Sequence, residues 1–205
     1  MRTQTKEIQS KLTPRDAHRI LVEGNNRFVQ NLKAQRNLKE QVLATSSGQY
    51  PFAVVLSCID SRVPAELVFD QGIGDMFSVR IAGNIINEDI LGSMEYACKV
   101  SGAKILVVMG HSKCGAVTAA YNNIRLGNIT SLLSRIEPAV AKVAGMKLEK
   151  KEEEIQQIAN VNVKLSINEI RSRSSILAKM EEEGKIEIVG AMYQVESGRV
   201  IFFEE

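Results

Sequence analysis

The 205 residues contain no tryptophan, four prolines and only two histidines, and aromatic side chains make up 5% of the chain. Three cysteines are too few, and odd in number, for the disulfide framework of a small secreted domain, which leaves free thiols or metal ligands as their use. No stretch approaches the roughly 18 apolar residues that a membrane span requires. The start, Met1-Arg2-Thr3-Gln4-Thr5-Lys6-Glu7, has no apolar leader core, so we expect a cytoplasmic protein with no membrane partner, in which the sequon Asn128-Ile129-Thr130 is idle. An excess of one charge is also lacking. Lys and Arg number 26 against 24 Asp and Glu, a net +2 that disfavours nucleic acid as a partner.

What remains is a globular composition, 44% hydrophobic and 24% charged, in a length that suits one α/β domain. Thr13, Pro14 and Asp16 read as a helix start. Ala17, Ile20, Leu21, Gly24 and Phe28 then follow at helical spacing. We expect a helical arm over residues 1–48, lying against its own subunit or a partner, ahead of an α/β core over residues 51–205. From Pro51 the pattern alternates: extended at 52–57, helical at 64–69, extended at 76–81, helical at 87–100 and extended at 105–109. Continuous apolar strands in this order predict a central, mostly parallel β-sheet flanked by helices. A helix is expected from Gly115 through Ala119 and another apolar-periodic segment at 129–144. The mixed charges of 147–154 read as the solvated part of long helices running to about residue 183, stopped by Gly184. Strands at 185–194 and 199–203 form a C-terminal β-hairpin around Glu196-Ser197-Gly198.

Ligands of parallel sheets sit beyond the carboxyl ends of the strands, and there the chain carries its chemistry. Cys58 ends the first strand in Cys58-Ile59-Asp60-Ser61-Arg62, and His111 and Cys114 end the third in Gly110-His111-Ser112-Lys113-Cys114-Gly115. Two thiolates and one imidazole suit Zn²⁺ with a fourth position left for water, since structural zinc sites usually take four protein ligands. Asp60, two positions past the first ligand, can hydrogen-bond that water or close the site. Arg62 decides between these by pairing with Asp60 and keeping it ionised. Cys98 lies on the apolar stripe of Ile90, Leu91, Met94 and Ala97 and reads as core, His18 reads as a surface histidine, and Gly72-Ile73-Gly74 reads as a turn.

The two motifs, together with Gly74-Asp75-Met76-Phe77-Ser78-Val79-Arg80 and Ala82-Gly83-Asn84, resemble the β-class carbonic anhydrases, in particular the plant-like subtype. The resemblance is strong over residues 52–120. It implies one zinc ion on Cys58, His111 and Cys114, and hydration of CO₂ to bicarbonate by zinc-bound hydroxide with help from Asp60 and Arg62. It further implies an apolar substrate pocket of Phe77, Ala82, Tyr96 and Gly115, a substrate hydrogen bond from Gln49 across a subunit interface, and a homodimer or tetramer. Two departures bear on the pocket. Ile81 and Ala82 follow Arg80 where the family often has Asn and a larger aliphatic residue, and Val55 stands where the subtype with an inhibitory bicarbonate pocket has Trp. Rival readings are COS or CS₂ hydrolysis at the same centre and a non-catalytic zinc scaffold; a thiol redox role fits less well, because C-x-x-C is absent.

Overall fold

A computed structural model describes residues 3–146, 148 and 150–204. The chain opens with α1 (Lys6–Lys11), α2 (Pro14–Val29) and α3 (Leu38–Thr45). The Thr13 side chain accepts the Asp16 N–H while the Asp16 carboxylate accepts the Thr13 N–H, so α2 begins with the reciprocal cap its sequence predicts. β1 (Ala53–Ser57), α4 (Ala65–Val68), β2 (Met76–Arg80), a 3₁₀ turn (Ala82–Asn84), α5 (Glu88–Glu95) and β3 (Ile105–His111) follow in the expected alternation. The remaining elements are α6 (Gly115–Tyr121), α7 (Gly127–Leu133), α8 (Glu137–Val143), α9 (Lys151–Arg173), α10 (Ser175–Glu182), β4 (Glu187–Tyr193) and β5 (Val200–Phe202).

The five strands lie in the order β2-β1-β3-β4-β5, with the first four parallel and β5 antiparallel to β4. Side chains alternate between the two faces. Val54, Leu56, Leu106, Val108, Ile188 and Met192 pack into one cluster with residues of α5, α6, α8 and α9. Ala53, Val55, Ile105, Val107, Met109 and Ala191 pack into a second with Ala17 and Leu21 of α2. Helix α2 therefore covers one face of its own sheet. Asn25 fastens it further, its amide donating to Val68 and Gly198 carbonyls and accepting the Val200 N–H. Arg27 and Arg36 both hold the buried Asp70 carboxylate at 2.6 Å.

Four expectations change. Residues 87–100 divide into α5 and a wider π turn (Tyr96–Val100), in which the Ser101 N–H reaches the Tyr96 carbonyl and both Ala97 and Cys98 are buried. Residues 129–144 divide into α7 and α8, because Pro138 has no N–H to give a continuous helix and sits instead in the first turn of the second. Of the charged segment 147–154, helix starts at Lys151; Lys147 and Glu149 lie outside the described residues. His18 is less exposed than a surface residue, with its ring 4.4 Å from that of Phe202 and its Nδ1 3.7 Å from Glu187.

Gly24 sets how closely α2 approaches the core, since a Cβ there would stand 1.8 Å from the Phe69 carbonyl oxygen. Gly24→Ala is expected to lower stability by about 1–3 kcal/mol despite a helix-propensity gain of about 1 kcal/mol. Urea unfolding monitored by circular dichroism checks this; a stabilised variant would contradict the packing described.

Candidate metal centre

Ser57, the last residue of β1, pairs with Met109 of β3 and with Arg80 of β2, so Cys58 and His111 emerge at the same edge of the sheet. Lys113 adopts a left-handed conformation (φ 55°), and the turn it makes brings Cys114 back to the same point at the start of α6. The Sγ atoms of Cys58 and Cys114 and a ring nitrogen of His111 lie within 4.8 Å of one another, and all three residues are buried. No other group of three such residues forms a metal-competent cluster among the described residues.

The His111 ring is oriented by its Nδ1, 2.9 Å from the Ser112 carbonyl oxygen. A carbonyl only accepts, so the proton sits on Nδ1 and the Nε2 lone pair is free. Nε2 is buried with no hydrogen-bond partner. An orphaned buried acceptor beside two sulfurs is what a metal ligand set looks like without its ion. Bonds of about 2.3 Å to sulfur and 2.0–2.1 Å to nitrogen set tetrahedral edges of about 3.5–3.8 Å, which the cluster accommodates. The residues therefore fit zinc.

Cys58 is held below the ordinary thiol range, chiefly by a hydrogen bond from Cys114, with the backbone N–H of Gly83 adding to the effect. The Gly83 nitrogen lies 3.4 Å from the sulfur. Cys114, as the donor of the pair, is pushed up by Cys58 and by burial. Cys98 behaves differently: burial alone pushes its thiol up to about 12, in keeping with a packing role.

Asp60 lies beside the triad, with Oδ2 3.9 Å from His111 Nε2. Arg62 grips both carboxylate oxygens, Nε to Oδ1 at 2.9 Å and Nη2 to Oδ2 at 2.7 Å, and its backbone N–H donates to Oδ1 as well. This pairing holds the Asp60 carboxyl well below the usual carboxylate range. A depressed folded-state pKa means the pairing contributes fully above the unfolded value of about 3.9 and is lost only as pH falls through the folded one. Asp60 is thus ionised, and acceptor only, throughout the neutral range.

The five residues expected at the centre of the site are together. Phe77 and Tyr96 meet edge to face at 6.3 Å and line a crevice of about 640 Å³ with Val79, Glu88 and Gly92, on the outer side of β2. Ala82 belongs to the turn that carries Gly83, and Gly115 faces open space at the first position of α6. Gln49 is exposed in the loop before β1 and makes no hydrogen bond among the described residues.

Two supports were not anticipated. Arg80 reaches back from β2 to the carbonyls of Cys58 (3.1 Å) and Asp60 (2.7 Å) and so fixes the loop between them. Glu196, from the C-terminal hairpin turn, accepts from Ser112 Oγ at 2.9 Å and from Lys113 Nζ at 2.8 Å, tying down the turn that holds His111 and Cys114. The Lys113 carbonyl in turn accepts from Arg62 at 3.3 Å.

Fold and site together define an α/β protein with a two-cysteine, one-histidine metal-competent centre at its strand ends. Residues 53–200 match the family model described as carbonic anhydrase. The chain is 37% identical over 194 residues to carbonic anhydrase 2 of Mycobacterium tuberculosis, covering 92% of each. To a carbonic anhydrase of Mycolicibacterium smegmatis it is 37% identical over 196 residues, covering 91% of this chain and 92% of that one. Its structure superposes on that of the β-carbonic anhydrase CafA of Aspergillus fumigatus with a TM-score of 0.72 and 28% identity, covering 81% of each chain. The chain belongs to the carbonic anhydrase family, in its β class.

Metal analysis after gel filtration is expected to find one equivalent of zinc in the wild type and in Cys98→Ser, and well under half in His111→Ala and Cys114→Ser. Full loading of His111→Ala would remove the histidine from the ligand set.

Proposed function

We propose that this chain catalyses the reversible hydration of carbon dioxide to bicarbonate and a proton, with one zinc ion per subunit held by Cys58, His111 and Cys114. Zinc in such a site supplies a Lewis acid that makes water a usable nucleophile near neutral pH. The observation that carries the reading is the free, buried Nε2 of His111, with two sulfurs on one side and the Asp60 carboxylate 3.9 Å away.

Asp60 accepts a hydrogen bond from the attacking water and turns a lone pair toward the substrate carbon. Arg62 occupies both carboxylate oxygens, which favours an orienting role for Asp60 over its closing the centre as a fourth ligand. Phe77, Ala82, Tyr96 and Gly115 line the approach of CO₂, and Gln49 reaches substrate from a second copy of the chain. A homodimer, alone or paired into a tetramer, is supported by the free outer edge of β2 and by the exposed Leu38, Val42 and Leu43 of α3. The product proton leaves through water or buffer, because His18, the remaining histidine, is engaged with Glu187 and Phe202 on the α2 side of the sheet. No helix among the described residues is long and apolar enough to cross a membrane, and we place the protein in the cytoplasm.

Stopped-flow CO₂ hydration on zinc-loaded protein tests the reading. Cys58→Ala is expected to be inactive, and Asp60→Asn to keep its zinc but lose about 10²-fold or more in kcat/KM. Two thiolates donate more charge than imidazoles and leave less to acidify water, so the wild-type rate is expected to rise between about pH 6 and 9. Absence of hydration by fully loaded wild type would sink the proposal.

A further inference from the structure

The long helix α9 contributes no ligand to the centre, yet two of its buried polar side chains are aimed at the turn beside Cys58. Asn162, 3% exposed, donates its amide to the Gly83 carbonyl at 2.8 Å. Ser166, 4% exposed and one helical turn on, donates to the Asn84 carbonyl at 3.3 Å. The turn they hold is one that few residue pairs adopt, with Gly83 at φ 66° and Asn84 at φ 42°, consecutive residues in the left-handed region. Glycine is favoured at the first of these positions, since any other side chain would be strained by the backbone conformation and its Cβ would stand 2.6 Å from Ile136 Cδ1. What the conformation accomplishes is to point the Gly83 N–H at the Cys58 sulfur, 3.4 Å away.

An N–H donor on a thiolate withdraws charge that the sulfur would otherwise give to a bound metal, and such contacts beyond the ligands tune a centre's electronics. In a site with two thiolates this withdrawal opposes the over-neutralisation that weakens water activation. We propose that Asn162 is a positioning residue, which with Ser166 locks the Gly83–Asn84 turn so that its N–H limits charge donation from Cys58 and keeps the bound ion electrophilic. The proposal rests on Cys58 being a metal ligand.

Cobalt(II) substituted for zinc gives the readout, because sulfur-to-metal charge-transfer absorption reports directly on how strongly the thiolates donate. Asn162→Ala is expected to move that absorption to longer wavelength and, with zinc, to lower kcat/KM for CO₂ by about tenfold. Ser166→Ala, which removes the longer bond alone, is expected to shift the absorption in the same direction by less, and it keeps the test open should Asn162→Ala fail to fold. Asn160→Ala is the control, since that side chain on the same helix meets only Gln156 and Gln157; its spectrum is expected to match the wild type. Unshifted charge-transfer absorption in the folded Asn162 or Ser166 variant, or an equal shift in Asn160→Ala, overturns the inference. If the wild type itself shows no thiolate-to-cobalt absorption, the ligand assignment fails instead.

Discussion

The parallel pairing of β1 with β3 is the constraint on which the site depends. Every residue of both strands is buried, so a slip of one residue would carry each side chain to the opposite face of the sheet and dismantle both halves of the core. The register that places Ser57 opposite Met109 is consequently held by apolar packing along the whole sheet, of Val54, Leu56, Leu106 and Val108 on one face and Val55, Val107 and Met109 on the other. Cys58 and His111 inherit their separation from that register. Cys114 needs only the short turn through Lys113 to join them. The geometry of the centre is thus set by folding, and an ion entering it meets donors already gathered.

Gathering them has an electrostatic cost that the surroundings offset in stages. Anionic sulfur in a buried site is unfavourable unless something compensates it. The Gly83 N–H faces Cys58, and the backbone N–H groups of Ala116 and Val117 at the start of α6 face Cys114. Asp60 adds a further negative charge, which Arg62 balances from the solvent side, while Arg80 braces the connecting loop through its carbonyls. Two thiolates then remain without a full positive partner. A divalent cation would cancel them, and binding it releases the proton that a thiol otherwise keeps.

Strand ends and their ligands were legible in the sequence because both leave local traces. Continuous apolar runs mark buried parallel strands, and a histidine three residues from a cysteine after such a run is a chelate spacing. The split at Pro138 is outweighed in the sequence by the apolar periodicity that runs on across residues 129–144. The clamps were not legible at all. Arg80 acts on carbonyls 22 and 20 residues away, Glu196 on a serine 84 residues away and Asn162 on a carbonyl 79 residues away. Hydrogen bonds to backbone carbonyls place no demand on the residue type that receives them, so nothing in the sequence near Cys58, Asp60 or Gly83 records the partner, and Ser112 pairs with a carboxylate too distant in the chain to leave a local pattern. His18 reads as a surface residue for a related reason: its helix looks polar around it, but the side chain lies against Phe202, which belongs to the last strand.

The presence of Asn162 itself calls for an energetic reason. It sits on the face of α9 that also presents Ile158, Ala159, Val163, Ile167 and Ile170 to the core, where an apolar side chain of similar volume would avoid desolvating an amide. A net gain of about 0.5–1.5 kcal/mol for the hydrogen bond it makes is no larger than what ordinary packing at that position would supply. The balance turns on the Gly83 carbonyl, which an apolar neighbour would leave buried and unpaired at a cost of about 1–3 kcal/mol. An unpaired carbonyl would also be free to rotate with its turn, and the sulfur contact would be lost with it. A buried polar pair that is fully satisfied fixes one arrangement out of several that packing alone would accept. In this chain the arrangement it fixes is the one that touches the metal-competent cysteine.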